Sequence, residues 1–154
     1  LDGITVSSTY LRTLLKAGEM ETAVRFLGHG HILSGLVQHG DSRGHTLGLP
    51  TANLALEPEL LVPAFGVYGG WADAGELGRF PTAVNLGIHP TVHRLPRPVA
   101  EASLLGFSGN LYGKFLRLEL LFQVRPEQKF SSLSELTAQI ARDQQTVLHR
   151  LSGV

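Results

Sequence analysis

The chain contains no cysteine. That excludes a disulfide scaffold and a thiolate zinc site. It has no excess of either charge: 13 Lys and Arg stand against 13 Asp and Glu, a formal net charge of +0. A neutral chain lacks the electrostatic footprint that a polyanion needs, so nucleic acid is not an expected partner. No apolar run reaches the length of a membrane span, and the start has no signal-peptide pattern. A membrane partner is therefore not expected either. His29, His31, His39, His45, His89 and His93 follow no common metal-ligand spacing. The chain begins at Leu1 rather than Met, and it reads as a piece of something longer.

What is present is a foldable globular composition, with 43% hydrophobic and 17% charged residues among 154. The 18 glycines and 8 prolines imply many turns, which favours strands. Residues 1–28 are predicted as two short helices. Ser7 or Ser8 can cap the first, which runs to about Lys16 with Gly18 as its stop. The second runs from about Glu19 to Leu27 and stops at Gly28. Leu11, Leu14 and Leu15 give one an apolar face; Val24, Phe26 and Leu27 serve the other. Two short helices make a poor domain alone.

From His31 the pattern changes to short runs between turn signals. Strands are predicted at 31–39, 50–56, 64–72, 80–86, 99–107 and 115–124. The last is clearest, with Leu116, Leu118, Leu120, Phe122 and Val124 alternating against Arg117, Glu119 and Gln123. This spacing predicts a mainly β chain folded as a small antiparallel barrel or sandwich. A helix closes the chain. Ser132 with Glu135 is a capping-box signature, and Leu133, Leu136, Ile140, Val147 and Leu151 share one face.

Three features could carry chemistry. Gly40, Asp41, Ser42, Arg43, Gly44 and Gly48 form a loop with glycine at every fourth position. Without Cβ atoms, backbone N–H groups can approach an anion closely. The loop lacks the Gly-Lys-Ser/Thr ending of a P-loop and the G-x-G-x-x-G spacing, and on local sequence alone a flexible hairpin loop is the simpler reading. Thr51 and Asn53, after Pro50, project from one strand face. Their neutral oxygens suit Mg²⁺ that arrives already bound to phosphates, although a polar strand end is the simpler reading. Glu101 shares a face with Val99, Leu105 and Phe107. A carboxylate there is either an edge charge or a general base in a cleft.

In order along the chain these pieces resemble one family. Leu33-Ser34-Gly35, His39-Gly40-Asp41, Arg43-Gly44 and Leu47-Gly48-Leu49-Pro50-Thr51-Ala52-Asn53-Leu54 resemble the opening of the riboflavin kinase domain. Gly66-Val67-Tyr68, Ala83-Val84-Asn85-Leu86-Gly87, Pro90-Thr91, Glu101, Leu111-Tyr112-Gly113-Lys114, Arg125-Pro126-Glu127-Gln128-Lys129-Phe130 and Asp143 continue the likeness over about residues 31–150. Val6-Ser7-Ser8-Thr9, Leu11-Arg12, Gly18 and Leu27-Gly28 resemble the end of the adenylyltransferase domain in bacterial bifunctional riboflavin kinase/FAD synthetases. The chain departs from the family at Ser103 and Gly106, where His and Asp are usual, and at Leu49, where Phe is commoner.

The resemblance implies a six-stranded antiparallel, Greek-key-like barrel with a C-terminal helix. It divides the chain into a helical adenylyltransferase remnant, 1–28, and a kinase domain, 29–154. It implies a cytoplasmic enzyme that phosphorylates the 5′-hydroxyl of riboflavin with ATP to give FMN. Glu101 would be the base, and Thr51 and Asn53 would hold Mg²⁺. Gly40, Asp41, Ser42, Arg43, Gly44, Gly48, Pro50, Thr51 and Asn53 would bind the nucleotide, and Asn85, Gly87, Arg125 and Phe130 the flavin. The parent protein would also convert FMN to FAD. Two rivals are a non-catalytic barrel that binds flavin or nucleotide and an oligonucleotide-binding barrel. The neutral charge argues against the second.

Overall fold

A computed structural model describes residues 8–38, 51–56, 61–89, 97–107 and 109–152. Helix α1 (Ser8–Lys16) and helix α2 (Met20–Leu27) precede six strands. These are β1 (His31–Gln38), β2 (Ala52–Ala55), β3 (Gly66–Asp73), β4 (Arg79–His89), β5 (Arg97–Leu104) and β6 (Phe115–Pro126). Helix α3 (Leu133–Ser152) ends the fold. The strands close a barrel in the order β1-β2-β5-β4-β3-β6, and every pairing is antiparallel. Strands β3, β4 and β5 form a meander, and β6 returns beside β3. That is the Greek-key order, and it agrees with the predicted architecture.

Alternation decides which residues fill the barrel. Leu116, Leu118 and Leu120 of β6 point inward and are fully buried, as their spacing predicts. They meet Leu33, Leu54, Tyr68, Val84 and Leu86 in one core. Alanines 52, 100 and 102 line β2 and β5 inside the same core. Leu15 of α1 and Met20 and Ala23 of α2 also belong to it, so the helices plug the barrel rather than sit apart from it. The predicted face of α2 is thus shifted: Met20 and Ala23 are fully buried, while Val24, Phe26 and Leu27 are half-buried. Both helices stop at glycines in the left-handed region, Gly18 (φ 81) and Gly28 (φ 80). Ser7 lies outside the described residues.

Two hydrogen bonds tie the segment before β3 to its surroundings. The His31 ring nitrogen Nε2 meets the Leu61 carbonyl at 2.8 Å. The Tyr68 hydroxyl donates to the Ala64 carbonyl at 2.6 Å, and burial pushes its pKa up to about 12.

A second core lies outside the barrel wall. Helix α3 lays Val147 and Leu151 against Phe122 and Ala83. A Cβ on Gly69 would collide with the Phe122 ring and with Val147, so glycine permits this close approach. Leu133, predicted for the apolar face of α3, is 65% exposed. It is the first residue of the helix, before the docking face begins. The Ser132 cap is present, with its Oγ accepting the Glu135 N–H at 3.1 Å. The reciprocal arm of the capping box is displaced by one residue. The Glu135 carboxylate accepts from the Ser131 N–H and hydroxyl instead, and these bonds lower its pKa.

Strand ends differ from the sequence reading where turns intervene. Strand β5 stops at Leu104, because Gly106 (φ 85) bends the chain and the Phe107 N–H closes a turn onto the Leu104 carbonyl at 3.4 Å. Leu105 and Phe107 therefore do not continue the face of Glu101. Ser103 and Val99 flank it instead, two residues to either side in the strand.

Candidate active site

The outer wall of the barrel assembles the predicted residues along one line. Asn53 of β2 is the register partner of Glu101 in β5. Glu101 is in turn the partner of Asn85 in β4. Asn85 pairs with Val67 of β3, and Val67 with Arg125 of β6. Paired residues of antiparallel strands share a face. The inward neighbours Leu54, Ala100, Ala102, Val84 and Leu86 are fully buried in the core, so this line faces outward. The metal candidate, the base candidate and two flavin candidates thus form a single rung, although some 70 residues separate its ends in sequence.

Burial grades along the rung. Asn53 is 7% exposed, Glu101 is half-buried, and Asn85 is exposed. Thr51 stands half-buried just before β2, on the same side as Asn53. The Asn53 side-chain oxygen Oδ1 is buried and has no hydrogen-bond partner among the described residues. A buried carbonyl oxygen without a donor is costly. It is a neutral hard oxygen, which fits a Mg²⁺ ion carried in on phosphates and completed by water. The Glu101 carboxylate stands one strand away on the same outer face.

Gly87 lies two residues beyond Asn85 on the same outward side. A Cβ there would stand 3.6 Å from the Glu127 carboxylate, so the Glu127 side chain reaches over it from the segment after β6. Arg125 anchors that segment. Its guanidinium pairs with Asp143 of α3 at 3.0 Å and lies 5.4 Å from the centre of the Phe130 ring. Asn85, Gly87, Arg125 and Phe130 are therefore brought to one side of the barrel, with Asn85 paired to Glu101 and Arg125 three strands from it along the rung. Gly40, Asp41, Ser42, Arg43, Gly44, Gly48 and Pro50 lie outside the described residues.

Sequence reasoning gave no role to Asp143, Gln139 or Glu127. Asp143 carried a signal, since it falls seven residues after Leu136 and four before Val147, on the docking face of α3. A carboxylate on a buried helix face needs a cationic partner.

The Flavokinase family (Riboflavin kinase) matches residues 27–151. The chain belongs to the riboflavin kinase family. The bifunctional riboflavin kinase/FMN adenylyltransferase of Bacillus subtilis is 38% identical over 97% of this chain. The match spans 48% of that relative, so the chain covers about half the length of the curated relatives it resembles. A solved riboflavin kinase from Trypanosoma brucei superposes with a TM-score of 0.61 at 27% identity, covering 80% of this chain and 81% of its own. A Streptococcus pneumoniae structure described as a macrolide-efflux protein superposes with a TM-score of 0.84 at 29% identity, over 93% of this chain and 46% of that one. Among the described residues no helix is long and apolar enough to cross a membrane. The barrel, its closing helix and the sequence match all agree with that family.

Proposed function

We propose that this chain transfers the γ-phosphate of ATP to the ribityl 5′-hydroxyl of riboflavin, with Glu101 as general base. The observation that carries the reading is the rung itself: a buried amide oxygen at Asn53 with no partner among the described residues, Glu101 beside it, and Asn85 beyond. A primary alcohol is a poor nucleophile at neutral pH. Glu101 would take its proton as it attacks in line, and positioning with electrostatic stabilisation would supply the rest. Thr51 and Asn53 would hold Mg²⁺, which when bound offsets charge on the β- and γ-phosphates. The glycine-rich stretch from Gly40 to Gly48, with Pro50, would supply backbone donors to the nucleotide. Asn85, Gly87, Arg125 and Phe130 would border the flavin.

The reading extends to the parent protein. Residues 1–28 would be the closing helices of an adenylyltransferase unit, with 29–154 the kinase domain. The likeness of the first residues to that unit and the half-length match to bifunctional relatives support this division. The parent would act in the cytoplasm, where riboflavin, FMN and ATP meet. This chain should make FMN and no FAD. The test is incubation with riboflavin and excess MgATP, followed by chromatographic resolution of the flavins. FMN alone is the expected product. FAD would show that the present residues suffice for adenylylation, and the absence of both nucleotides would overturn the kinase reading.

A further inference from the structure

Asp143 is 4% exposed and lies on the docking face of α3, yet nothing in the phosphoryl-transfer scheme uses it. Its partner is the Arg125 guanidinium, whose Nε lies 3.1 and 3.0 Å from the two carboxylate oxygens. The Arg125 NH2 group lies 3.0 Å from Oδ2. The Gln139 side-chain amide donates to Oδ1 at 2.9 Å. A carboxylate holding this many N–H donors has little rotational freedom, and side-by-side contact fixes the plane of the guanidinium.

The held guanidinium then reaches two further groups. Its NH1 meets the Pro126 carbonyl at 3.4 Å, and its face lies near the Phe130 ring. Arg125 therefore joins α3 to both ends of the segment 126–130. That segment carries Glu127 over Gly87, two residues from Asn85 on the rung of Glu101. Arg125, at the far end of the rung, and the segment 126–130 beyond it are thus held by a charge pair rooted in α3.

We propose that Asp143 is a positioning residue: through Arg125 it fixes the wall 126–130, and so the placement of the acceptor alcohol against Glu101. The proposal rests on the kinase reading. A group that positions only the acceptor acts on riboflavin rather than on ATP, and loss of near-attack geometry appears in the riboflavin KM and in kcat together.

The test compares Asp143→Asn with Val147→Ala. Val147 lies one turn on along the same helix face, and it packs with Ala83, Phe122 and Leu151. Asp143→Asn should raise the riboflavin KM about tenfold and lower kcat, while the ATP KM stays within about twofold. Amide hydrogen exchange over residues 126–130 should rise in Asp143→Asn, and Val147→Ala should lower Tm without either change. Should Asp143→Asn fail to fold, Gln139→Leu removes one N–H donor and should move the same readouts in the same direction by less. Equal shifts in both KM values, or exchange at 126–130 no greater than in Val147→Ala, would overturn the proposal. The exchange readout needs no turnover, so a wild type that forms no FMN would sink the kinase reading while leaving the clamp separately decided.

Discussion

Two polar patches on the barrel's outer wall invite comparison. One spans β2, β5 and β4, and holds Asn53, Glu101 and Asn85. The other spans β1, β6 and β3, around a groove lined by His29, Ile32, Trp71, Asp73, Arg79, Arg117 and Glu119. In the second patch Glu119 satisfies its neighbours. It accepts the Gly30 N–H at 3.0 Å and pairs with Arg79 at 3.1 Å, and Arg79 lies 4.7 Å from the centre of the Trp71 ring. In the first, the buried Asn53 Oδ1 has no donor among the described residues. A patch that closes its own hydrogen bonds contributes to stability. A patch that leaves one open carries a cost until a ligand closes it, and that asymmetry is what the proposed site has and the second patch lacks.

The sharpest way to break the comparison is to remove one carboxylate from each patch. Glu101→Gln keeps shape and loses the base, so turnover should fall about a hundredfold with Tm little changed. Glu119→Ala should do the reverse, keeping turnover within about twofold and losing about 1–3 kcal/mol of stability as the buried Gly30 N–H is orphaned. Flavin chromatography and thermal melts read both. Near-normal turnover in folded Glu101→Gln would leave Glu101 an edge charge and dissolve the distinction.

A smaller effect is expected at the open oxygen itself. Asn53→Ala should lower turnover about tenfold or more and weaken its Mg²⁺ dependence, with Thr51→Ala following in the same direction. Because Asn53 Oδ1 makes no hydrogen bond among the described residues, its removal should cost little stability. Turnover and Mg²⁺ titration as in the wild type would show that the two residues hold no metal.

The sequence carried the barrel better than the site. The alternation of Leu116, Leu118 and Leu120 reads directly as one buried strand face, and the glycines at 18 and 28 read as helix stops. Local spacing suffices for both. Spacing put Thr51 and Asn53 on one strand face, yet it could not join them to Glu101. Strands β2 and β5 are neighbours through a long crossover, and register between distant strands has no local signature. The same limit hid the partner of Asp143, since Arg125 lies 18 residues away on another element. The misplacement of Leu105 and Phe107 beside Glu101 came from extending a period of two through Gly106, whose backbone breaks it.

The smallest effect tests the self-satisfied side of the molecule through pH. His31, at the start of β1 beside Gly30, is linked to the Leu61 carbonyl at 2.8 Å. Burial holds its pKa below the ordinary 6.5; the bond to Leu61 opposes this, and the nearby His29 adds to the lowering. The neutral ring is therefore the form the fold favours. Between the lowered value and 6.5 the unfolded chain binds more protons than the folded one, so stability rises with pH across that window. The contribution is complete above 6.5 and is lost as pH falls toward the folded value. His31→Gln supplies an amide N–H for Leu61 and does not titrate. Its melting temperature should start near or slightly below that of the wild type at about pH 7.5, and fall less on going to about pH 5.5. Each unit of pKa lowering corresponds to about 1.4 kcal/mol at most, which sets the scale of the difference. Parallel acid slopes in the two proteins would show that His31 is not the group whose protonation opposes folding, and that the bond to Leu61 survives its charge.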